Sequence, residues 1–289
     1  MLVIDAHNHF WRYDPVKYSW IGDDISILKG DFLPQHLKPA LDYYKVDGVV
    51  AVQARQDHED NLFLLKQAKS NPIVKGVVGW VDLSADDAEE NLHSFALDPK
   101  FVGIRHMVQS EPDEQFLLRN DFNRGVGLLK NFNLAYDILI HDRLLPIATT
   151  FVERFPDQKF VLDHIAKPPI KTGKLKPWEA HIRRLAKNTQ CLCKVSGLVT
   201  EADWYKWKES DIIPYLDVVF DAFGPDRLMF GSDWPVCLIA ADYERVWDLI
   251  NNYLAYFGQE DQEKIMGLNA VDFYNLNVSH NSNATLSNS

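Results

Sequence analysis

Residues 48–83, GVVAVQARQDHEDNLFLLKQAKSNPIVKGVVGWVDL, carry the pattern that decides the fold. Two short apolar runs, 48–54 and 77–83, flank a stretch, 57–71, whose apolar residues recur at helical spacing. Both runs are rich in valine and almost continuously apolar, which is typical of strands in a parallel sheet covered on both faces. The segment therefore predicts a strand, a helix and a second strand parallel to the first.

The same alternation extends to both ends of the chain. The predicted strands are 2–7, 48–54, 77–83, 101–107, 134–140, 159–165, 191–197 and 227–233, and the helices between and after them are 34–44, 57–71, 84–97, 113–132, 142–156, 178–188, 212–225 and 242–258. Eight strand–helix pairs predict an α/β protein, a (β/α)8 TIM-like barrel, with an extra C-terminal helix at 259–276. We expect one domain, 1–276, followed by a flexible polar tail, 277–289.

Composition limits the partners that this chain can have. The chain has 289 residues, of which 46% are hydrophobic, and a net charge of −11. That charge argues against a nucleic-acid partner, which is bound through clustered lysine and arginine, and gives no support to membrane binding. The chain contains no apolar run of about 18 residues and starts with no signal-like segment. We interpret Cys191 and Cys193 as reduced core residues and expect a cytoplasmic protein that acts on a small molecule.

The segment after the first strand is unusually long and aromatic. Residues 10–33 contain Trp11, Tyr13, Tyr18 and Trp20. Loops of this length in compact domains are usually functional or disordered. We interpret this one as a lid or wall of a pocket, with plain packing on the barrel rim as the alternative.

Two histidines stand one residue apart on the first predicted strand. His7 and His9, in IDAHNHF (4–10), should share a face, although such a pair alone is more often structural than functional. His164 and Asp233 stand at the ends of the sixth and eighth strands, where barrel enzymes carry their chemistry. Strands one and eight are neighbours in a closed barrel, so the four side chains can converge. Imidazole and carboxylate ligands suit a zinc-like divalent ion that keeps a position open for water.

Other strand ends carry further candidate residues. Arg105 and His106 are adjacent and should point to opposite sides, and we assign the inward position to Arg105, as a ligand for an anion or a carbonyl group. The remaining candidates at strand ends are Gln53, Trp80, Lys194 and Trp234. Lys167 also stands near the end of the sixth strand, with no role assigned to it.

Eight motifs together resemble the amidohydrolase superfamily, in particular the sugar-lactone hydrolases of its amidohydrolase-2 type. They are DAHNHFW, VQARQ, GWVDL, GIRH, DHIAKPPI, CKVSGLVTEADW, RLMFGSDWPVC and NAVDFYNL, and the resemblance runs from Val3 to Leu276. It implies a TIM-like barrel and hydrolysis of a lactone such as an L-fucono- or L-rhamnonolactone. It also implies His7, His9, His164 and Asp233 as metal ligands.

The chain departs from the superfamily pattern at the end of the fourth strand. Binuclear members carry a bridging lysine there, and this chain has Arg105 and His106. We therefore expect at most one divalent ion, with zinc as the first choice. Some lactonases of this branch work without metal, so metal-independent chemistry stays an alternative.

The resemblance suggests a mechanism in which Asp233 takes a proton from water and returns it to the leaving alkoxide. Without metal, His164, Lys194 or Arg105 would polarise the carbonyl group. Gln53 and Arg105 would give hydrogen bonds to the substrate. The tryptophans Trp11, Trp20, Trp80 and Trp234 would offer flat faces to a sugar ring or serve as ordinary packing residues.

Three rival functions remain open from the sequence. The first is hydrolysis of a muconolactone or pyrone lactone, and the second is zinc-dependent decarboxylation of an aromatic or muconate-like acid. The third is non-catalytic binding of a sugar acid. The oligomeric state is left as monomer or homodimer.

Overall fold

The computed structural model describes residues 1–278 and shows eight parallel strands hydrogen-bonded in sequence order. They are β1 Ile4–Asn8, β2 Gly48–Val52, β3 Val74–Gly79, β4 Phe101–His106, β5 Ala135–Ile138, β6 Phe160–Leu162, β7 Cys191–Val195 and β8 Leu228–Phe230. The segment after β8 meets β1 again, because the Asp233 amide donates to the His7 carbonyl (2.8 Å) and the His9 amide donates to the Trp234 carbonyl (2.7 Å). The predicted (β/α)8 barrel is confirmed.

Ten α-helices surround this barrel in the described part of the chain. They are α1 Pro34–Tyr43, α2 His58–Ser70, α3 Ala88–Ala96, α4 Asn120–Val126, α5 Leu145–Glu153, α6 Trp178–Leu185, α7 Glu209–Phe223, α8 Tyr243–Leu254, α9 Gln259–Glu263 and α10 Asn269–Tyr274. A π-helical turn, Lys264–Leu268, joins α9 to α10. No helix within residues 1–278 combines the length and the apolar character that a bilayer-spanning segment needs.

Several predicted boundaries are wrong. The helix predicted at 113–132 is only the short α4, flanked by 3₁₀ turns at Phe116–Leu118 and Leu129–Phe132. Two glycines near its end, Gly125 and Gly127, weaken a longer helix. Strands β6 and β8 end three residues before their predicted ends, because the residues that follow turn away from extended geometry.

Apolar side chains from the strands and α10 fill the barrel interior. Ile4, Val50, Val78, Val161 and Met229 point inward and pack with residues of α10. Since α10 covers the end where the strands begin, the opposite end is left open for a site. A larger core, which includes the free, buried Cys191, Cys193 and Cys237, lies between strands and helices.

The long segment at residues 10–33 is ordered by its own aromatic residues. Trp11 pairs with Phe32 in an antiparallel bridge and donates from its indole nitrogen to the Gly30 carbonyl (2.9 Å). Trp11, Tyr18 and neighbouring apolar residues form a small separate cluster. The predicted tail, 277–289, lies outside the described residues from residue 279 onward.

Candidate active site

Three imidazole rings converge on one carboxylate at the open end of the barrel. The Nε2 atoms of His9, His7 and His164 lie 3.3, 3.8 and 3.9 Å from Oδ1 of Asp233. All four residues are buried. The structure therefore brings the four sequence-predicted ligands to one point.

Hydrogen bonds on the far side of each ring fix how the imidazoles face. Nδ1 of His9 donates to the Val52 carbonyl (2.8 Å). Nδ1 of His7 faces the Asp163 carboxylate at 3.3 Å, and Nδ1 of His164 pairs with the Ser196 hydroxyl at 2.9 Å. Because its Nδ1 proton is donated to a carbonyl, His9 presents its Nε2 lone pair to the carboxylate, and the Nε2 atoms of His7 and His164 face the same oxygen.

Burial sets the charge state of these groups. Burial lowers the pKa values of His7 and His164 well below the ordinary histidine value, so both rings are neutral at pH 7. Burial alone would raise the pKa of Asp233, but interactions with His164 and His9 hold it below the usual value. Asp233 is therefore ionised at neutral pH.

This donor set fits a divalent cation. Ligand atoms of His7, His164 and Asp233 all lie within 4.8 Å of one another. Nitrogen lone pairs that face an anionic oxygen repel one another unless a cation lies between them. The guanidinium group of Arg105 supplies part of this positive charge, since its Nη1 lies 3.2 Å from Nε2 of His7. A metal ion bound to His7 would take the place of that contact. The cluster is a possible divalent-metal site.

A buried charge network supports the site from below. Nζ of Lys194 lies 2.5 Å from Asp137, 3.1 Å from Asp163 and 3.2 Å from Nδ1 of His7. Nη1 of Arg105 lies 3.2 Å from the second oxygen of Asp163. Burial opposes the charge on Asp163, but Lys194, His7 and Arg105 outweigh it and lower its pKa well below the usual range. Two cations and two anions thus balance one another beneath His7.

Asp5 connects the two chain segments that carry His7 and Asp233. Its Oδ1 accepts hydrogen bonds from the backbone amides of Ser232 (2.9 Å) and His7 (3.2 Å). Burial raises the pKa of Asp5 to about 6. Sequence reasoning missed this residue, although an acidic side chain within a fully buried strand was the available signal.

Two glycines leave room for the histidines. A Cβ at Gly231 would lie 2.7 Å from Cβ of His7, and a Cβ at Gly197 would lie 2.5 Å from Nδ1 of His164. Both distances are shorter than a real Cβ atom can make with a neighbouring atom. The segments that follow β7 and β8 therefore need glycine directly behind the imidazoles.

The cluster opens into a cavity of about 130 Å³. Five sequence-predicted residues line it: His9, Trp20, Arg105, His164 and Asp233. The other lining residues are Ala54, Met107, Gln109, Ser110, Leu139, Lys167 and Val236. Sequence reasoning missed Gln109 and Ser110 and gave no role to Lys167, although each follows a strand at its carboxyl end.

Besides His7, four sequence-predicted residues lie outside the cavity lining. Gln53 holds Arg105, donating to its carbonyl (3.1 Å) and accepting from its guanidinium (3.2 Å). Lys194 belongs to the buried network, and Trp234 packs edge-on against Phe32 with ring centres 5.4 Å apart. The indole nitrogen of Trp80 donates to His106 (3.1 Å).

Arg105 and His106 take opposite sides of β4. Arg105 points inward to His7 and Asp163. His106 instead stacks on Phe116, with ring centres 4.6 Å apart, and pairs with Glu111 at 2.7 Å. The pair with Glu111 holds the loop that follows β4, and this loop brings Gln109 to the cavity.

Taken together, these groups can activate water. An ionised carboxylate in the wall of a cavity can act as a general base for a bound water molecule. Arg105 and Lys167 supply positive charge at the cavity wall, which stabilises negative charge that develops on a carbonyl oxygen. The arrangement suits attack of water on a carbonyl carbon.

The chain is similar to known proteins over nearly its whole length. A family profile described as Amidohydrolase matches residues 4–276. An L-fucono-1,5-lactonase from Burkholderia multivorans is 40% identical over 262 residues, covering 87% of this chain and 88% of that protein. An L-fucono-1,5-lactonase from Burkholderia ambifaria is 36% identical over 286 residues, covering 94% and 95%. A crystal structure of an amidohydrolase from Burkholderia multivorans with bound zinc matches with a TM-score of 0.93 at 38% identity, covering 96% of this chain and 100% of that one.

Proposed function

The chain belongs to the amidohydrolase family, and we propose that it is a hydrolase that opens a sugar-derived lactone of the L-fucono-1,5-lactone class. The two Burkholderia lactonases, at 40% and 36% identity over most of the chain, support this substrate class. The observation that carries the proposal is the ionised carboxylate of Asp233, which faces the cavity beside three imidazoles and two cationic side chains. Hydrolysis of an ester-like bond needs those groups.

In the proposed reaction, Asp233 takes a proton from a water molecule as the water oxygen bonds to the lactone carbonyl carbon. The ring carbon–oxygen bond then breaks, and Asp233 returns the proton to the departing alkoxide. Trp20, at the cavity wall, offers its ring to the sugar, while Gln109 and Ser110 offer hydrogen bonds to hydroxyl groups. Gln53 and Lys194 act as positioning residues, through Arg105 and His7 respectively.

We propose that one divalent ion, zinc as first choice, is held by His7, His9, His164 and Asp233. The bound ion would lower the pKa of a coordinated water and polarise the carbonyl group. Elemental analysis of the purified protein tests this directly. Returning zinc to chelator-treated protein, at about 100 times its Kd, should raise Tm by about 5 °C. Purified protein that contains no metal and shows no Tm shift on addition of zinc would contradict the metal proposal. The lactonase proposal is tested separately.

A panel of lactones tests the proposed function. L-fucono-1,5-lactone, L-rhamnonolactone, a muconolactone and a pyrone lactone are each mixed with enzyme, and proton release is followed with a pH indicator. We expect the highest kcat/KM with the L-fucono lactone. Carbon dioxide release from an aromatic acid, without proton release from any lactone, would favour the rival decarboxylase.

We further propose that residues 1–276 form one domain and that the protein works in the cytoplasm on its small-molecule substrate, as a monomer or homodimer. The shared barrel interior supports the single domain, and the free, buried cysteines support a reducing compartment. Light scattering and cell fractionation test them.

A further inference from the structure

The segment after β6 adopts an unusual backbone conformation. His164, Ile165, Ala166 and Lys167 have φ values of 54°, 47°, 61° and 49°. Four successive residues with side chains in the left-handed region are costly, and such strain persists where the surrounding structure enforces it, often at functional sites. Trp178 supplies part of that enforcement, since its indole nitrogen donates to the Ile165 carbonyl at 2.9 Å.

This turn brings two side chains to the same cavity. The Lys167 amide donates to the His164 carbonyl at 2.8 Å, and both residues line the cavity beside Asp233. An extended strand would alternate the directions of successive side chains. The strained turn therefore places the cationic side chain of Lys167 in the same cavity wall as Asp233, the proposed base.

The ammonium group of Lys167 is loosely held. Its ion pair with Glu201 is long, with Nζ 3.9 Å from the carboxylate, and the lysine side chain is 20% exposed. The other cation at the cavity, Arg105, already donates from Nη1 to Asp163 and from Nη2 to the Gln53 carbonyl. Among the described residues that line the cavity, Lys167 is the only lysine. It is therefore the cation that can turn toward a ligand without breaking a buried network.

The chemistry of lactone opening needs such a cation. As the water oxygen bonds to the carbonyl carbon, the carbonyl oxygen gains negative charge. After the ring bond breaks, it is one oxygen of a carboxylic acid, which loses the second water proton to solvent and becomes a carboxylate. The proton moves from water to Asp233 and then to the alkoxide, so an ammonium donor keeps its own proton throughout.

Resting on the proposed function, we propose that Lys167 is a catalytic residue. Its Nζ donates to the lactone carbonyl oxygen, stabilises the oxyanion and then holds the carboxylate of the ring-opened acid.

Lys167→Met removes the charge and keeps most of the side-chain length, Lys167→Arg keeps the charge, and Lys171→Met alters an exposed lysine on the same loop. With L-fucono-1,5-lactone, we expect Lys167→Met to lower kcat/KM by about 10² to 10³, as loss of an oxyanion donor does. Lys167→Arg should recover part of this loss, and Lys171→Met should match wild type.

Inhibition separates charge recognition from a structural role. L-fuconate, the ring-opened anion, should inhibit Lys167→Met at least about tenfold more weakly than wild type, whereas neutral L-fucose should inhibit both equally. Unchanged kcat/KM, or equal weakening of both inhibitors, would overturn the assignment. If wild type opens no lactone, the proposed function fails. In that case, calorimetric titration with L-fuconate tests whether Lys167 binds the carboxylate. Equal affinities in wild type and Lys167→Met would overturn this role.

Discussion

Lys194 is the residue on which the buried charges beneath the site depend. Its side chain is fully buried and contacts the carboxylates of both Asp137 and Asp163. A buried ion pair contributes little net stability, but removal of one partner leaves the other charge uncompensated in a medium of low polarity. The sequence predicted Lys194 as a strand-end residue that could polarise the substrate carbonyl group, whereas the structure places it under the cavity and outside its lining.

Replacement of Lys194 by methionine should therefore destabilise the fold. We expect the free energy of unfolding to fall by about 3–5 kcal/mol, because Asp137 and Asp163 lose their shared cation. Urea denaturation followed by tryptophan fluorescence measures this change. The matched variant Lys171→Met, at an exposed position, should stay within about 0.5 kcal/mol of wild type. A loss below about 1 kcal/mol in Lys194→Met would contradict the network described above.

At the scale of the element, the turns after β6, β7 and β8 do the most to shape the site. His164 and Asp233 both have left-handed backbones, with φ values of 54° and 59°, and Gly197 has a φ of 63°. These turns end the strands early and redirect the side chains that follow. The glycine at 197 lies against the His164 ring, so the turn after β7 limits where that ring can sit.

Gly197→Ala tests that limit. The new Cβ would lie 2.5 Å from Nδ1 of His164, so the ring must move, and we expect kcat to fall about 100-fold. The matched control is Gly173→Ala, since Gly173 has a similar φ of 67° but no atom within 4 Å of the added Cβ. It should lose about 1–2 kcal/mol of stability from backbone strain alone and keep its activity. Equal activity in both variants would contradict the role given to Gly197.

The same turns mark the limit of sequence-based prediction. Apolar runs such as 48–54 predict strands because a covered parallel sheet requires them, and the eight-strand order follows from their alternation with helices. The convergence of His7 and Asp233 follows from strand order as well. Nothing in DHIAK indicates a left-handed turn, because tertiary contacts such as that of Trp178 impose it. Lys167 was therefore seen at a strand end but not assigned to the site.

At the scale of the whole molecule, one chain of contacts joins the two ends of the barrel. Tyr274, in the helix that covers the closed end, donates its hydroxyl to the Asp137 carboxylate, whose oxygens lie 2.8 and 2.9 Å away. Asp137 contacts Lys194, and Lys194 contacts His7. The C-terminal helix thus takes part in the polar support of the site as well as in closing the apolar interior.

Tyr274→Phe removes the hydroxyl and keeps the ring in place. We expect a loss of about 1.5–3 kcal/mol in the free energy of unfolding, the usual value of a hydrogen bond to a charged group. Tyr256→Phe is the control, because Tyr256 is 91% exposed and should be neutral. Both are measured by urea denaturation, and equal stabilities would show that Asp137 does not depend on the C-terminal helix.

Turnover by Asp233→Asn tests the central claim most directly, since that residue is the proposed base. With L-fucono-1,5-lactone, we expect kcat to fall by about 10² to 10⁴ while circular dichroism stays that of wild type. Asp82→Asn, at an exposed position near the end of another strand, should keep full activity. Wild-type turnover by folded Asp233→Asn would contradict the account.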